Sequence, residues 1–591
     1  MSRKLWTYQQ ECVEACLELG LQGKGQVILP TGTGKTVISL AVMHQMMQKK
    51  KQTITAVFAP RLLLLAQWSR EIAEFLAQKQ KVPIALVCVH SGNVSNKART
   101  LLAQSNKILQ LQSQNAQHSD AAQGNSKLGA PPIPEATTCA EEIKTNVQDA
   151  IDRGYHVIIL CTYHSSQILE ASEVDVDLAL YDESHYLVPR SGGETKFRNA
   201  LDIAANNKVF LTATPVHTDS DEDGLGMQNT DVFGEKIYTR SPKEMIEIGA
   251  IVGPLIHQVI VDEKAMQAIE TAGDNEQIDA ADYESTMHLI YSAWQRHKDA
   301  VKQSSANPDR IGAKLLVVAK DQKQLENCFE TQAMKTLRRE QPNLRLFGLS
   351  TDFGVYIDGE HHKPSKKGVA ISSKYKEELL DELQYREESK EGFAPNDDAI
   401  IFHVNMIGEG LDVPGITGVL FLRNCDLILF LQNLGRACRL HVDDRTRIYE
   451  SGELDETRKD LKLFVKPNCY VILPWCIEWN GADFLARFQN IVEGLRSYYD
   501  IDDITTKIVT DFLNTDHKET VFDEVVMDLA DTHKTILGEA ITEYVHHVEQ
   551  KQIDDDNQKI KNDVVKLDDE NRIDLIAELI GKDPNISKKK T

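Results

Sequence analysis

Lys35 and Thr36 close the segment LPTGTGKT, Leu29–Thr36, and Asp182 and Glu183 stand at the centre of LALYDESHYL far downstream. An ammonium and a hydroxyl behind a glycine-bearing turn suit a triphosphate and its Mg²⁺. The strand-like run Val27-Ile28-Leu29 leads into that turn, and Lys35-Thr36 open a helix through Val37, Ile38, Leu40, Ala41 and Val42. Gly32 and Gly34, with Thr31 and Thr33 beside them, let the backbone turn tightly and aim N–H groups at phosphate. The helix N-terminus adds a favourable dipole, Lys35 meets the β/γ charge and Thr36 holds the metal ion. In the second segment an apolar strand delivers its acidic pair to its C-terminal end, where Asp182 can hold the metal ion and Glu183 can orient an attacking water. The strict phosphate-loop pattern begins with Gly, whereas Leu29 stands there in this chain. A Gly-rich turn alone, or an Asp-Glu pair alone at a strand end, has an ordinary structural reading. Their conjunction describes one nucleotide-hydrolysing site.

The elements that must position these residues follow an alternating rhythm. Strand signals at 27–29, 54–59 and 84–89 are separated by helical stretches, as in a parallel sheet with crossover helices. The rhythm breaks at Ser91: residues 93–147 are rich in Gln, Asn, Ser and Ala, contain GAPPIP, and read as a polar insertion, partly helical and partly mobile. It returns at 156–161, 178–181 and 208–211, which sets a first domain at 1–240. Residues 241–310 read as a helical linker. Strand-like runs at 314–319, 344–349, 399–404, 418–422 and 469–473 set a second α/β domain at 311–475. The remainder, 476–591, reads as an acidic, mainly helical C-terminal region ending in KKKT, a solvated tail.

Composition narrows the class. A chain of 591 residues with 41% apolar content is too long for one core. No run of about 18 apolar residues occurs and MSRKLWTYQQ lacks a signal-peptide core, so a soluble, cytoplasmic protein without a membrane partner is expected. The ten cysteines, with no CxxC pair, read as reduced and mostly buried thiols. Net charge is −23, and residues 501–591 alone hold 22 Asp/Glu against 12 Lys/Arg. Contact with a phosphate backbone must therefore use a local basic groove, while the acidic C-terminal region is a candidate surface for a protein partner.

TYQQ, LPTGTGKT, APRLLLLAQW, CTYHS, DESH, LTATP, NMIGEGLDVPG and QNLGRACR occur in that order. The set resembles the superfamily 2 DEAD/DEAH-type helicases and translocases over about residues 5–475. Within them it is similar to the branch of type III restriction motor subunits and the excision-repair helicase of transcription factor H. The resemblance implies two tandem RecA-like parallel-sheet domains and ATP with Mg²⁺ as cofactors. Gln9 matches the glutamine that reads adenine, with an amphipathic helix start as its ordinary alternative. His185, Thr212 and Thr214 match the groups that couple nucleotide state to movement; strand-end packing and capping are their ordinary alternatives. Ser184 replaces the usual Ala of DEAH. Arg436 and Arg439, three apart on one helix face, match arginine fingers that stabilise γ-phosphate charge, with Gln432 beside the same phosphate. Gly410 and Asp412 match the motif that senses ribose and nucleic acid. Arg61, Gln67, Thr162, Thr351 and Asn405 fall at positions that hold sugar and phosphate of a nucleic-acid strand.

The function so implied is a nucleic-acid-stimulated ATPase that translocates on or unwinds nucleic acid, with DNA ahead of RNA. Two alternatives stand beside it. One is the motor subunit of a restriction or defence nuclease assembly, although the one downstream ExK, Glu549-Gln550-Lys551, lies in a helical context. The other is an ATP-controlled sensor or remodeller without processive unwinding.

Overall fold

The computed structural model describes residues 4–19, 23–79, 84–90, 137–189, 196–218, 226–260, 280–350, 353–363, 393–404, 413, 415–423, 427–452, 457–475 and 508–512. All of them lie in one compact unit, Met1–Phe522. The first sheet is built from β1 (Lys24–Ile28), β2 (Ile54–Ala59), β3 (Ile84–Val89), β4 (His156–Thr162), β5 (Val176–Asp182), β6 (Ala205–Thr212) and β7 (Glu235–Thr239). Their order is β3-β4-β2-β5-β6-β1-β7, and every neighbouring pair is parallel. Such a sheet is covered on both faces, so its strands are apolar throughout.

Period-two alternation divides these strands between two cores. Val57, Leu180 and Leu211 join Ile38, Leu40, Val42 and Trp68 on one face. Phe58, Tyr181 and Phe210 join Tyr163 and Leu169 on the other. On that second face the rings stack across neighbouring strands, Phe58 on Tyr181 at 4.9 Å and Tyr181 on Phe210 at 4.6 Å. Large flat side chains on adjacent parallel strands exclude water and fix register together.

β8 (Gly253–Ile260), β9 (Lys314–Val318), β10 (Arg345–Ser350), β11 (Gly354–Ile357), β12 (Glu360–His362), β13 (Ala399–His403), β14 (Gly418–Phe421), β15 (Asn468–Trp475) and β16 (Ile508–Phe512) form the second sheet. Its order is β12-β11-β10-β13-β9-β14-β15-β8-β16. Only the β10–β11 and β11–β12 pairs are antiparallel among the described residues. Two parallel-sheet α/β domains thus stand in tandem, in the RecA-like manner.

Three segments differ from the expected organisation. The 241–310 stretch is helical at Pro242–Glu247 and Ala280–Ser304, but Gly253–Ile260 is a strand paired along its whole length with β15. Its apolar and β-branched run, GPLIHQVI, has strand character, and the pairing settles the ambiguity that short apolar runs carry. The C-terminal region supplies β16, parallel to β8. Finally, the polar segment 93–147 ends earlier than its composition suggests: Thr137 bridges Val89, and the helix Ala140–Asp152 buries Ile143, Val147 and Ala150 against the second core of the first sheet. Residues 93–136 and most of 476–591 lie outside the described residues.

Among the described cysteines only Cys139 is exposed; Cys12, Cys16, Cys88, Cys161, Cys328, Cys438 and Cys469 are buried free thiols. No helix among the described residues is long and apolar enough to cross a membrane.

Candidate nucleotide-hydrolysing site

Because β5, β6 and β1 are neighbours running the same way, their C-terminal ends bring three segments side by side. These are Asp182 with Glu183, Thr212–Thr214, and the loop Leu29–Thr36. The backbone N–H of Leu29 donates to Thr212 O at 3.1 Å, fastening the loop to the end of β6. Gly32 and Gly34 have φ of 90° and 87°, left-handed values that a side chain would strain. A Cβ on Gly34 would meet Gln9 Nε2 at 2.6 Å, and one on Gly32 would meet Arg439 Cγ at 3.0 Å. Both glycines are therefore required by backbone conformation and by close approach. The helix Lys35–Lys49 begins immediately after Gly34.

A cleft of about 370 Å³ opens over this loop. From the first domain it is lined by Thr31, Gly32, Gly34, Lys35, Thr36, Gln67, Trp68, Asp182 and Glu183; from the second, by Gln432, Arg436 and Arg439. The helix Leu427–Ala437 carries Gln432 and Arg436 to the loop, and it does so closely: a Cβ on Gly435 would lie 2.9 Å from Thr31 Cβ. The Arg-x-x-Arg face is thus turned into the cleft rather than onto a salt-bridged surface.

Charge is concentrated and poorly solvated there. Lys35 Nζ donates to Leu29 O at 3.1 Å, and burial lowers its pKa against the raising pull of Glu183 and Asp182. Burial also pushes the Asp182 carboxyl up to about 6; Glu183 adds to the rise, and the Trp68 N–H and Lys35 oppose it. Glu183 itself sits in the left-handed region at φ 51°, a non-glycine exception of the kind that marks a functional turn.

His185 is buried and links the two domains. Its Nδ1 lies 3.0 Å from Thr212 Oγ1 and 3.5 Å from Glu183 Oε2, and the amide nitrogen of Gln432 donates to its Nε2 at 3.4 Å. That acceptor role at Nε2 places the ring hydrogen on Nδ1, facing Thr212. The N–H of Thr214 donates to Thr212 Oγ1 at 3.1 Å. A chain of hydrogen bonds therefore runs from the second domain through His185 to the end of β6.

Several expected site residues are placed differently. Gln9 is buried with its amide committed: Nε2 donates to Thr33 O at 3.0 Å, and Oε1 accepts from Trp6 N at 3.1 Å. Tyr8 OH donates to the same carbonyl at 2.6 Å, so this pair braces the phosphate loop from behind. Thr33 turns its hydroxyl to Pro30 O, 2.7 Å away. Gln67, expected on nucleic acid, lines the nucleotide cleft. Thr162 is buried and donates to Ser165 Oγ at 3.0 Å, whereas Arg61 is exposed. Thr351, Asn405, Gly410 and Asp412 lie outside the described residues.

Trp68 had not been singled out from the sequence, nor had Arg70, Glu71, His441 and Arg445, which also line the cleft. A signal existed for two of them: Leu64, Gln67, Trp68 and Glu71 are spaced as one helix face.

The donor set suits Mg²⁺. That ion is bound by one or two carboxylates plus hydroxyl, water and substrate phosphate rather than by an all-protein cage. Thr36 and Asp182 provide such a pair in one cleft, and no cluster of three or more His, Cys, Asp or Glu ligands occurs among the described residues.

Residues 2–217 match the family described as type III restriction enzyme, res subunit. The EcoKI endonuclease subunit, a type I restriction enzyme of Escherichia coli (strain K12), is 21% identical over 461 residues, 73% of this chain and 33% of that protein. The solved ATP-dependent Type ISP restriction-modification enzyme LlaBIII bound to DNA covers 92% of the chain and 33% of its own, with a TM-score of 0.58 at 16% identity. The chain thus spans about one third of the length of these relatives. These likenesses are to restriction enzymes, by sequence over the first domain and by fold over most of the chain. The excision-repair branch rests on the motifs alone.

Proposed function

We propose that the chain hydrolyses ATP in the cleft between its two RecA-like domains and uses the cycle to move along DNA. One observation carries this reading. Lys35, Thr36, Asp182 and Glu183 from one sheet and Gln432, Arg436 and Arg439 from the other line a single cavity. In it, Lys35 meets the β/γ-phosphates, Thr36 and Asp182 hold Mg²⁺, and Glu183 orients the attacking water. Mg²⁺, when bound, neutralises phosphate charge. Arg436 and Arg439 present planar guanidinium groups to the charge that develops on transfer, and Gln432 reports it to His185, Thr212 and Thr214. Gln9 serves by stiffening the loop. Arg61, exposed in the first domain, meets the phosphate backbone in this reading.

A site split between two bodies and complete only when they close gives the hydrolysis cycle an opening and closing stroke that movement on DNA would use. The likeness to an enzyme described as ATP-dependent and bound to DNA supports that substrate. The expected result is ATP hydrolysis stimulated by duplex DNA more than by RNA, with displacement of a triplex-forming strand from the duplex. Phosphate release that ignores every nucleic acid would sink the proposal. Stimulated hydrolysis without displacement would favour an ATP-controlled remodeller.

A second reading, the motor part of a larger restriction assembly, is favoured by the res-subunit family match and by the fact that the likeness covers about one third of each relative. Metal-dependent cutting of DNA by the chain alone, or with a separate nuclease subunit recovered on its acidic C-terminal region, would support it.

Asp182 also predicts a pH dependence. A carboxyl raised to about 6 is ionised above that pH and protonated below it, and proton and cation compete for the same oxygens. The Mg²⁺ concentration for half-maximal hydrolysis should climb as pH falls through this value. A constant Mg²⁺ requirement from about pH 8 to about pH 5 would remove Asp182 from the metal-holding role.

A further inference from the structure

Both oxygens of the Asp182 carboxylate are engaged within the protein. Oδ1 accepts from the N–H of Glu183 at 3.1 Å, and Oδ2 accepts from the indole N–H of Trp68 at 2.9 Å. The backbone carbonyl of Asp182 accepts from Tyr163 OH at 2.7 Å. Trp68 lies on the helix Leu62–Lys79, which begins immediately after the exposed Arg61, and Tyr163 follows Thr162 at the end of β4. The two first-domain segments that the motif resemblance places on nucleic acid therefore both end, through buried donors, on one aspartate.

We propose that Trp68 is a positioning residue for the reaction: its N–H fixes the rotation of the Asp182 carboxylate, so that a shift of the helix behind Arg61 changes how that carboxylate holds Mg²⁺. The inference rests on the reading of Asp182 as the metal-holding group. A carboxylate turns easily about its last torsion, whose energy profile is broad. A hydrogen bond to an ionised oxygen is stronger than a neutral one and therefore holds the rotation. Indole is a donor only, so this bond cannot reverse its sense. Tyr163 reaches the backbone instead and sets where the end of β5 lies, not how the carboxylate is turned.

A buried tryptophan also satisfies its N–H for packing reasons alone, so the test must read metal rather than stability. In Trp68→Phe the ring remains and the donor is lost. Binding of an N-methylanthraniloyl ATP, followed by fluorescence anisotropy across a Mg²⁺ series with and without duplex DNA, separates the two roles. The expected result is metal-free affinity within about twofold of the parent and a Mg²⁺ half-point raised about tenfold or more, the range seen when a partner of a metal ligand is removed. DNA should shift that half-point in the parent and not in the variant. Trp68→His, which keeps an aromatic ring and a ring N–H, should return toward the parent. A Mg²⁺ half-point and DNA response unchanged in Trp68→Phe overturn the proposal, as does a His variant that behaves like the Phe variant, because the loss then belongs to ring volume. If the parent chain shows no Mg²⁺-dependent nucleotide binding, the assignment of the ATP site itself fails and the inference falls with it.

Discussion

Lys35→Ala is expected to reduce ATP hydrolysis about a thousandfold or more, while leaving the fold as stable as the parent or slightly more so. The first half follows from electrostatics in a cleft with little water. Charge on the transferring phosphoryl group is stabilised there by fixed cations, and each is worth far more than in bulk solvent. The second half follows from where the ammonium sits. Lys35 Nζ rests on the carbonyls of Leu29 and Pro30 and has its pKa lowered by burial, so the folded state carries an unfavourable charge that alanine removes. The two halves move in opposite directions, which distinguishes loss of chemistry from loss of structure. Phosphate release measured beside a thermal unfolding curve checks both. Normal turnover in this variant would contradict the phosphate cradle.

Arg436→Ala should slow hydrolysis by about 10³–10⁵ while ATP binding largely persists. Arg436 is only 8% exposed, and its helix is held against the loop at Gly435 and Thr31 and against His185 through Gln432. Its guanidinium is therefore delivered by a packed element rather than by a flexible side chain alone. Arg436→Lys should recover little, since an ammonium lacks the planar fork that matches several phosphate oxygens. Single-turnover hydrolysis with equilibrium nucleotide binding on the same preparations separates the two steps. An unchanged rate would leave the arginine pair as a packing feature.

The cleft was legible in the sequence where chemistry demands particular residue types at particular offsets. Lys35-Thr36 after two glycines, Asp182-Glu183 at a strand end, and the pair Arg436 and Arg439 are of that kind, and all of them line the same cavity, although the helix ends at Ala437 and Arg439 lies just beyond it. The strand spans at 54–59 and 178–181 were legible too, whereas the face to which Val57 or Phe58, and Leu180 or Tyr181, would turn came only with the structure. What could not be read was the destination of a neutral amide. Gln9 has a donor and an acceptor that a base or a backbone can satisfy equally, and only the approach of Thr33 O and Trp6 N decides between them. Gln67 is hard to place because only half a turn of helix separates a residue facing outward from one facing the cleft, and APRLLLLAQW has too many apolar positions to fix that rotation. GPLIHQVI at 253–260 was hidden by its length: eight residues of mixed character between helical neighbours take their form from β15, more than two hundred residues away.

That last strand bears on how the two lobes are joined. Thr239 ends the first sheet and Gly253 begins the second, so the covalent bridge between them is short. Its leading end is pinned to the first domain, since Arg240 N donates to Ile28 O and the Arg240 guanidinium grips Glu11 at 3.0 Å. Its trailing end is pinned to the arginine segment, since Val252 N donates to Cys438 O at 2.8 Å. The chain between these anchors is therefore a pivot pin rather than a rope. One lobe can swivel on the other but not drift from it, and the first thing such a swivel carries along is the stretch of backbone between Arg436 and Arg439.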